Sequence, residues 1–212
     1  MSHCWGDRPL YGIIVGKSVG AGMMEYFDIV DDNGIPTGKT ISRELAHMDG
    51  IQHRTAHVWI VRRKASGYDI LLQKRSRNKD SFPGFYDTSS AGHIPAGDEP
   101  LDSAMRELHE ELGIEAVPEQ LSYAGMFHIH YEQEFHGSMF RDNEIARVYV
   151  YSEPVEIENL TLQESEVEEV CWFDLEDVWN EIQTSRERIC VPMGGLKVLR
   201  KYLMGSLTIK ME

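Results

Sequence analysis

The chain has 212 residues, of which 42% are hydrophobic and 26% charged, a composition typical of a soluble globular protein with a substantial core. Its 35 acidic and 21 basic residues give a formal net charge of −14, which argues against nucleic-acid binding, because phosphate backbones are bound through clustered Lys and Arg. No apolar run approaches the roughly 20 residues of a membrane span, and the three cysteines lack the spacing of a zinc site or a disulfide framework. We therefore expect a cytoplasmic protein with no nucleic-acid or membrane partner.

Apolar periodicity and turn sequences predict strands and helices in an interleaved order. Strands are expected at Tyr26–Val30, Ile35–Ile41, Thr55–Arg63, Tyr68–Gln73, Phe85–Ser90, Tyr123–His130, Ile145–Tyr151 and Val167–Phe173. Helices are expected at Ser42–His47, Pro100–Leu112, Leu175–Gln183 and Leu196–Met204. The order has no repeating βαβ period, so it predicts an α/β domain with a mixed sheet between helices. We assign residues 24–205 to this domain, 1–23 to an N-terminal extension and 206–212 to a C-terminal tail.

The predicted helix Pro100–Leu112 carries a cluster of carboxylates. Glu107, Glu110 and Glu111 fall at i, i+3 and i+4 on one side of the helix, beside an apolar stripe that would pack inward. Carboxylates this close raise one another's pKa values unless cations hold them ionised. Mg²⁺, for which Mn²⁺ can substitute, prefers oxygen ligands and is commonly shared with substrate phosphates. The spacing therefore predicts either a metal site facing a diphosphate or an acidic, solvated helix face containing the pair Arg106–Glu110.

The segment Gly92–Ile114 resembles the Nudix box, G-x5-E-x7-R-E-U-x-E-E-x-G-U with U apolar, and eight of the nine defined positions match. At the ninth, Asp98 replaces a Glu. The resemblance implies an α/β/α sandwich that hydrolyses a small-molecule diphosphate, nucleotide-derived, with Mg²⁺. It implies that the metal is held by the box carboxylates and one backbone carbonyl, namely those of Glu107, Glu110, Glu111 and Gly92. Arg106 and Asp98 would support these ligands.

Residues other than the defined box positions resemble those of isopentenyl-diphosphate isomerases, which share this fold. His53, His93 and Glu144 match positions where that family binds a second metal or performs acid–base chemistry, and His47 matches one residue out of register. Ala91 stands where the isomerases carry their catalytic Cys, and alanine has no proton to exchange. The resemblance therefore implies an isomerase-like hydrolase. Isomerase activity and a non-catalytic nucleotide sensor are the alternatives.

Four carboxylates are candidates for the general base that activates water, namely Glu110, Glu111, Glu144 and Glu166. The first two are favoured because they belong to the box.

A basic stretch, Lys74–Lys79, supplies Arg75 and Arg77 as candidates for binding the substrate's phosphates, although such stretches are often solvated loops. Three isolated histidines are expected to be structural: His47, His57 and His128. The edge of the N-terminal hairpin offers unpaired backbone groups, so a homodimer is also expected.

Overall fold

The computed structural model describes residues 24–79, 81–135 and 137–209, so the expected extension over residues 1–23 lies outside the described residues. The strands are β1 Tyr26–Val30, β2 Pro36–Ser42, β3 His53–Lys64, β4 Gly67–Arg75, β5 Tyr86–Asp87, β6 Ser90–His93, β7 Leu121–Phe135, β8 Ser138–Tyr151 and β9 Val167–Asp174. The helices are α1 Arg43–Asp49, α2 Pro100–Leu112, α3 Leu175–Thr184 and α4 Met193–Ile209. Helix α4 continues past the expected domain end at residue 205, while residues 210–212 lie outside the described chain.

Strand β3 organises the main sheet, which has seven strands. It pairs in parallel with β8 along one edge. Along its other edge it pairs antiparallel, first with β6 and then with β4. Strands β5 and β9 extend the sheet from β4, β7 extends it from β8, and the β1–β2 hairpin forms a separate two-stranded sheet. The sheet is therefore mixed, as the interleaved order predicts.

Two apolar cores lie on opposite faces of the sheet, because successive side chains of a strand point to opposite faces. Val58 and Ile60 of β3 pack in the core that contains the apolar stripe of α2. Trp59 and Val61 pack in the core formed with α3 and α4. The result is the α/β/α sandwich expected from the sequence.

The predicted strand Phe85–Ser90 is wrong as a single element, because the chain changes strand partners within it. Strand β5 pairs with β4, and β6 pairs with β3. Between them, the Ser89 hydroxyl accepts from the Ile60 amide at 2.8 Å and donates to the Leu71 carbonyl at 2.5 Å. Strands β6 and β4 pair with successive parts of β3, and between these parts the Ser89 side chain supplies the hydrogen bonds that a backbone partner would otherwise make.

Helix α2 has the bounds that the sequence predicts. Pro100 occupies its first turn, where a missing backbone N–H costs nothing. Gly113 follows the last turn with φ 71°, and its N–H donates to the carbonyls of His109 and Leu108. Buried Leu108 and Leu112 hold the helix against the sheet. No helix in the described parts of the chain has the length and apolar character needed to cross a membrane.

Candidate functional site

A cavity of about 390 Å³ lies beside the C-terminal half of α2. Its walls include residues of α1, β3, β6 and α2, the loop after β4, and the β7–β8 hairpin. The three box carboxylates all reach it, as do three histidines, His47, His57 and His93. Acidic, basic and imidazole groups from distant parts of the chain therefore share one concave surface.

The box carboxylates differ in their surroundings. Glu111 is only 3% exposed and accepts hydrogen bonds from the Ala91 amide at 3.2 Å and from the Gln73 side chain at 3.3 Å. Burial, together with the nearby Glu107 carboxylate, raises the pKa of Glu111 to about 7. Burial also raises the pKa of Glu107. Glu110 is more open to solvent, so the helix presents one buried acid, one partly buried acid and one accessible acid.

Arg106 connects these acids to the neighbouring strand. Its guanidinium lies 2.8 Å from a carboxylate oxygen of Glu107 and 2.8 Å from one of Glu110. It also donates to the backbone carbonyl of His93 at 3.2 Å. Arg106 therefore fixes the carboxylates relative to β6 and offsets part of their mutual repulsion.

Gly92 allows a carboxylate to pack directly on the backbone of β6. A Cβ atom added at this position would lie 2.1 Å from Cδ of Glu107 and 2.2 Å from its Oε1. Real Cβ atoms essentially never approach other atoms this closely. Only glycine is therefore compatible with this position of Glu107.

A second cluster lies on the same cavity and is called here the His/Glu cluster: His47, His53, His93 and Glu144. One potential ligand atom from each residue lies within 4.8 Å of the others. The three Nε2 atoms are buried and have no hydrogen-bond partner. Their distances to the carboxylates are 3.4 Å or more, too long for good hydrogen bonds.

Hydrogen bonds on the far side of two rings set their tautomers. Nδ1 of His47 lies 2.9 Å from the Arg43 carbonyl, and Nδ1 of His53 lies 2.8 Å from the Ile51 carbonyl. Because a carbonyl can only accept, each Nδ1 carries the proton and each Nε2 turns a lone pair toward the cluster. Burial lowers the pKa of His53 to about 3, so its ring is neutral. Converging lone pairs of this kind suit a cation.

Two buried acids adjoin the cluster. Burial raises the pKa of Glu144 to about 7, and the Thr55 hydroxyl donates to this carboxylate at 3.0 Å. Burial and the charge of Glu144 raise the pKa of Asp142. Sequence reasoning did not select Asp142, although it stands two residues before Glu144 on the same strand and therefore on the same face.

Some predicted site residues lie away from the cavity wall. Asp98 is exposed in the turn before α2, where its carbonyl accepts from Arg54 at 3.2 Å. Asp28, which the sequence did not indicate, supports this turn by binding both Arg54 and the Gly97 amide, each at 2.9 Å. Arg77 is also outside the wall, with 80% of its side chain exposed.

Three other basic residues line the cavity, and only one of them was selected from the sequence as a phosphate-binding residue. Arg75 reaches the cavity, but its guanidinium is bonded to Asp87 and to both oxygens of Ser81, at 2.9–3.0 Å. Lys79 reaches the cavity and forms an ion pair with Glu166. Arg43, at the start of α1, also lines it and was missed because it stands outside every dense basic stretch.

Histidines expected to be structural divide into two groups. His128 is outside the cavity wall, with Nε2 3.2 Å from the Asp32 carbonyl. His47 joins the His/Glu cluster and His57 lines the cavity. The expectation of a structural role did not place His47 in the cluster. Helix α1 brings this residue there, and its position does not follow from the register of a strand.

Comparison with known proteins finds Nudix hydrolases of similar sequence. An uncharacterized Nudix hydrolase of Clostridium acetobutylicum is 41% identical over 143 residues, covering 68% of this chain and 66% of the relative. Nudix hydrolase 3 of Arabidopsis thaliana is 40% identical over 158 residues, covering 74% of this chain and 20% of the relative. The chain thus spans less than two thirds of the length of either relative.

Solved structures share the fold at low sequence identity. DR0079 from Deinococcus radiodurans superimposes with a TM-score of 0.60 at 15% identity, over 83% of this chain and 98% of that one. The Nudix domain of NrtR from Shewanella oneidensis, complexed with ADP-ribose, gives 0.51 at 14% identity, over 74% of this chain and 88% of that one.

The NUDIX domain family matches residues 51–191, which is more than half of the chain. This range includes β3 at the middle of the sheet, the box on α2, and Glu144 on β8. With the sandwich fold, the box and these relatives in agreement, the chain belongs to the Nudix family.

Proposed function

We propose that this chain is a Mg²⁺-dependent hydrolase that cleaves the phosphoanhydride of a small, nucleotide-derived diphosphate by attack of water. The observation that carries the proposal is the convergence of Glu107, Glu110 and Glu111 on one wall of a cavity. The Nudix hydrolases among its relatives support the reaction class. The ADP-ribose bound by the NrtR domain supports a nucleotide-derived substrate.

The box residues fit a hard divalent ion. They offer carboxylate oxygens, and Gly92 leaves no side chain between Glu107 and the β6 backbone. Glu107, Glu110, Glu111 and the Gly92 carbonyl would hold Mg²⁺, or Mn²⁺ in its place. When bound, the ion would supply positive charge to the diphosphate and lower the pKa of the attacking water.

The chain's own groups do the remaining work. As water attacks phosphorus and the bridging P–O bond breaks, a carboxylate takes the proton of the water. All four candidates reach the cavity, and we assign this base to Glu110 or Glu111, ahead of Glu144 and Glu166, because both stand in the box. Arg106 keeps Glu110 in place, whereas the Ala91 amide and Gln73 hold Glu111. Lys79 and Arg43 lie where they can neutralise substrate phosphates.

Ala91 favours hydrolysis over isomerisation. It lines the cavity with a methyl group, which cannot exchange a proton with a carbon atom of the substrate.

The test is release of a monophosphate from a panel of nucleoside-diphosphate derivatives, with ADP-ribose included, in the presence of Mg²⁺. Glu110→Gln and Glu111→Gln should each reduce turnover at least about a hundredfold, in line with loss of general base catalysis. Glu115→Gln is the matched control, because its side chain is 84% exposed. Wild-type turnover in both box variants, with unchanged folding by circular dichroism, would rule out the proposal.

We further propose that the His/Glu cluster holds a second divalent ion. Unpaired Nε2 atoms and one carboxylate form a nitrogen-rich donor set, which favours a transition-metal ion such as Mn²⁺ or Zn²⁺ over Mg²⁺. The bonds from Nδ1 of His47 and His53 to carbonyls are the outer contacts typical of metal-binding histidines.

Metal content of the purified protein tests this second site. After dialysis against a transition metal, elemental analysis should give one tightly held equivalent that is absent from His53→Gln and retained in His128→Gln. Equal metal content in the three proteins would refute the site without affecting the hydrolase proposal.

The edge of the β1–β2 hairpin, which is separate from the main sheet, remains our proposed contact for a homodimer. Sedimentation of the protein with and without Thr40→Pro, which blocks pairing along β2, tests it: a dimer that persists in the variant, or a wild-type monomer, would contradict the contact.

A further inference from the structure

Three residues of β3 lie in a row on the sheet face that the cavity uses. His53, Thr55 and His57 alternate with core residues, so their side chains share one face. At about 3.3 Å per residue, the row is roughly 13 Å long from His53 to His57. His53 belongs to the His/Glu cluster and Thr55 binds Glu144. His57 lies at the other end of the row, outside the His/Glu cluster.

A ring nitrogen of His57 has no hydrogen-bond partner in the described parts of the chain. The residue is 6% exposed, it lines the cavity, and its Nδ1 is buried without a hydrogen-bond partner. In the described parts of the chain, the other buried unpaired atoms on this wall belong to Arg106, to the His/Glu cluster or to Asp142 beside it. The ring's packing partner is Phe127, at 5.5 Å and edge-on.

The space next to the ring is bounded by small and polar groups. Across the β3–β6 ladder, His57 is directly opposite Ala91, whose side chain is only a methyl group. Asp87 and Cys190 also line the cavity, and the charge of Asp87 acts on His57. Because burial lowers the pKa of His57 to about 4, the ring is neutral and offers one donor and one acceptor.

We propose that His57 and Asp87 form a polar subsite that binds the hydroxyl or N–H groups of the substrate's nucleoside, beyond the diphosphate. The proposal rests on the hydrolase function proposed above and specifies its substrate class. Asp87 already accepts from the Arg75 guanidinium and the Thr88 amide, and a carboxylate has lone pairs for further hydrogen bonds from a ligand. An apolar group in this place would leave Nδ1 of His57 without a partner, which is unfavourable in a buried site.

Two non-hydrolysable ligands separate this subsite from the diphosphate site. Adenosine 5′-(α,β-methylene)diphosphate carries a nucleoside, whereas methylenediphosphonate carries only the diphosphate mimic. Binding of each to the full chain with Mg²⁺ is measured by calorimetry. His57→Phe keeps a flat ring against Phe127 but removes both nitrogens. His57→Gln keeps a donor and an acceptor, and His128→Phe is the control outside the cavity.

His57→Phe should weaken binding of the nucleoside ligand about tenfold, as expected for one or two lost hydrogen bonds, and leave methylenediphosphonate binding unchanged. His57→Gln should recover most of the loss. In ¹⁵N-histidine NMR spectra of the wild type, the nucleoside ligand alone should shift the His57 resonances. This measurement does not depend on the folding of any variant.

Equal weakening of both ligands, no weakening of either, or unshifted His57 resonances with the nucleoside ligand bound would each overturn the subsite. If the wild type binds methylenediphosphonate as tightly as the nucleoside ligand, the subsite is refuted while the hydrolase proposal stands. If neither ligand binds in Mg²⁺, the subsite is refuted, and the hydrolase proposal fails with it only if the panel of nucleoside-diphosphate derivatives is also not hydrolysed.

Discussion

Replacing Gly92 with alanine tests how closely the box carboxylates depend on the β6 backbone. The added Cβ would lie 2.1 Å from Cδ of Glu107, whereas ordinary contacts begin at 3.4 Å, so the carboxylate must move by about 3.4 − 2.1 = 1.3 Å. A displacement of about 1 Å in a catalytic group can cost about a hundredfold in rate. We therefore expect turnover of Gly92→Ala to fall about a hundredfold, and its free energy of unfolding to fall by about 1–3 kcal/mol from overpacking.

A double-mutant cycle shows whether Glu107 is the cause. In a Glu107→Ala background the clash is gone, so adding Gly92→Ala should change the unfolding free energy, measured by urea denaturation, by less than about 0.5 kcal/mol. Gly205→Ala is the control, because a Cβ at this helical position meets no atom within 4 Å. Wild-type turnover in Gly92→Ala, or an equal stability loss with and without Glu107, would refute the proposed packing.

Two further predictions concern pH and phosphate binding. The pKa of His57 is lowered from 6.5 to about 4 in the folded state. As the pH falls, the unfolded state therefore binds the proton first. The stability that comes from keeping the buried ring neutral is complete above about pH 6.5 and is lost toward pH 4. This stability amounts to at most about 3 kcal/mol at 1.36 kcal/mol per pKa unit. Between about pH 7 and 4, the unfolding free energy of the wild type should therefore fall more steeply than that of His57→Phe. Parallel curves for the two proteins would contradict the burial of a neutral ring. Lys79→Ala should weaken methylenediphosphonate binding severalfold by calorimetry, whereas Arg77→Ala, whose side chain is 80% exposed, should not. A larger loss of affinity in Arg77→Ala than in Lys79→Ala would instead support Arg77, which the sequence indicated, as the residue that binds phosphate.

The elements that could be predicted from sequence are those whose signals are local. Helix α2 begins at Pro100 and ends before Gly113 as predicted, because capping and helical periodicity depend on neighbouring residues. The positions of Glu107, Glu110 and Glu111 on one wall follow from the same periodicity. The break between β5 and β6 escaped prediction, since it depends on the bonds of the Ser89 hydroxyl to two other strands.

The amino-acid sequence by itself determined that one helix carries three acids on one side, because that spacing is set within a few residues. Tertiary structure decided which distant groups join it. His47 enters the His/Glu cluster through α1, and His53 meets Glu144 through the parallel register of β3 and β8. The loop after β4 brings Lys79 rather than Arg77 to the cavity. These contacts depend on chain segments far apart in sequence, whose pairing no local spacing encodes.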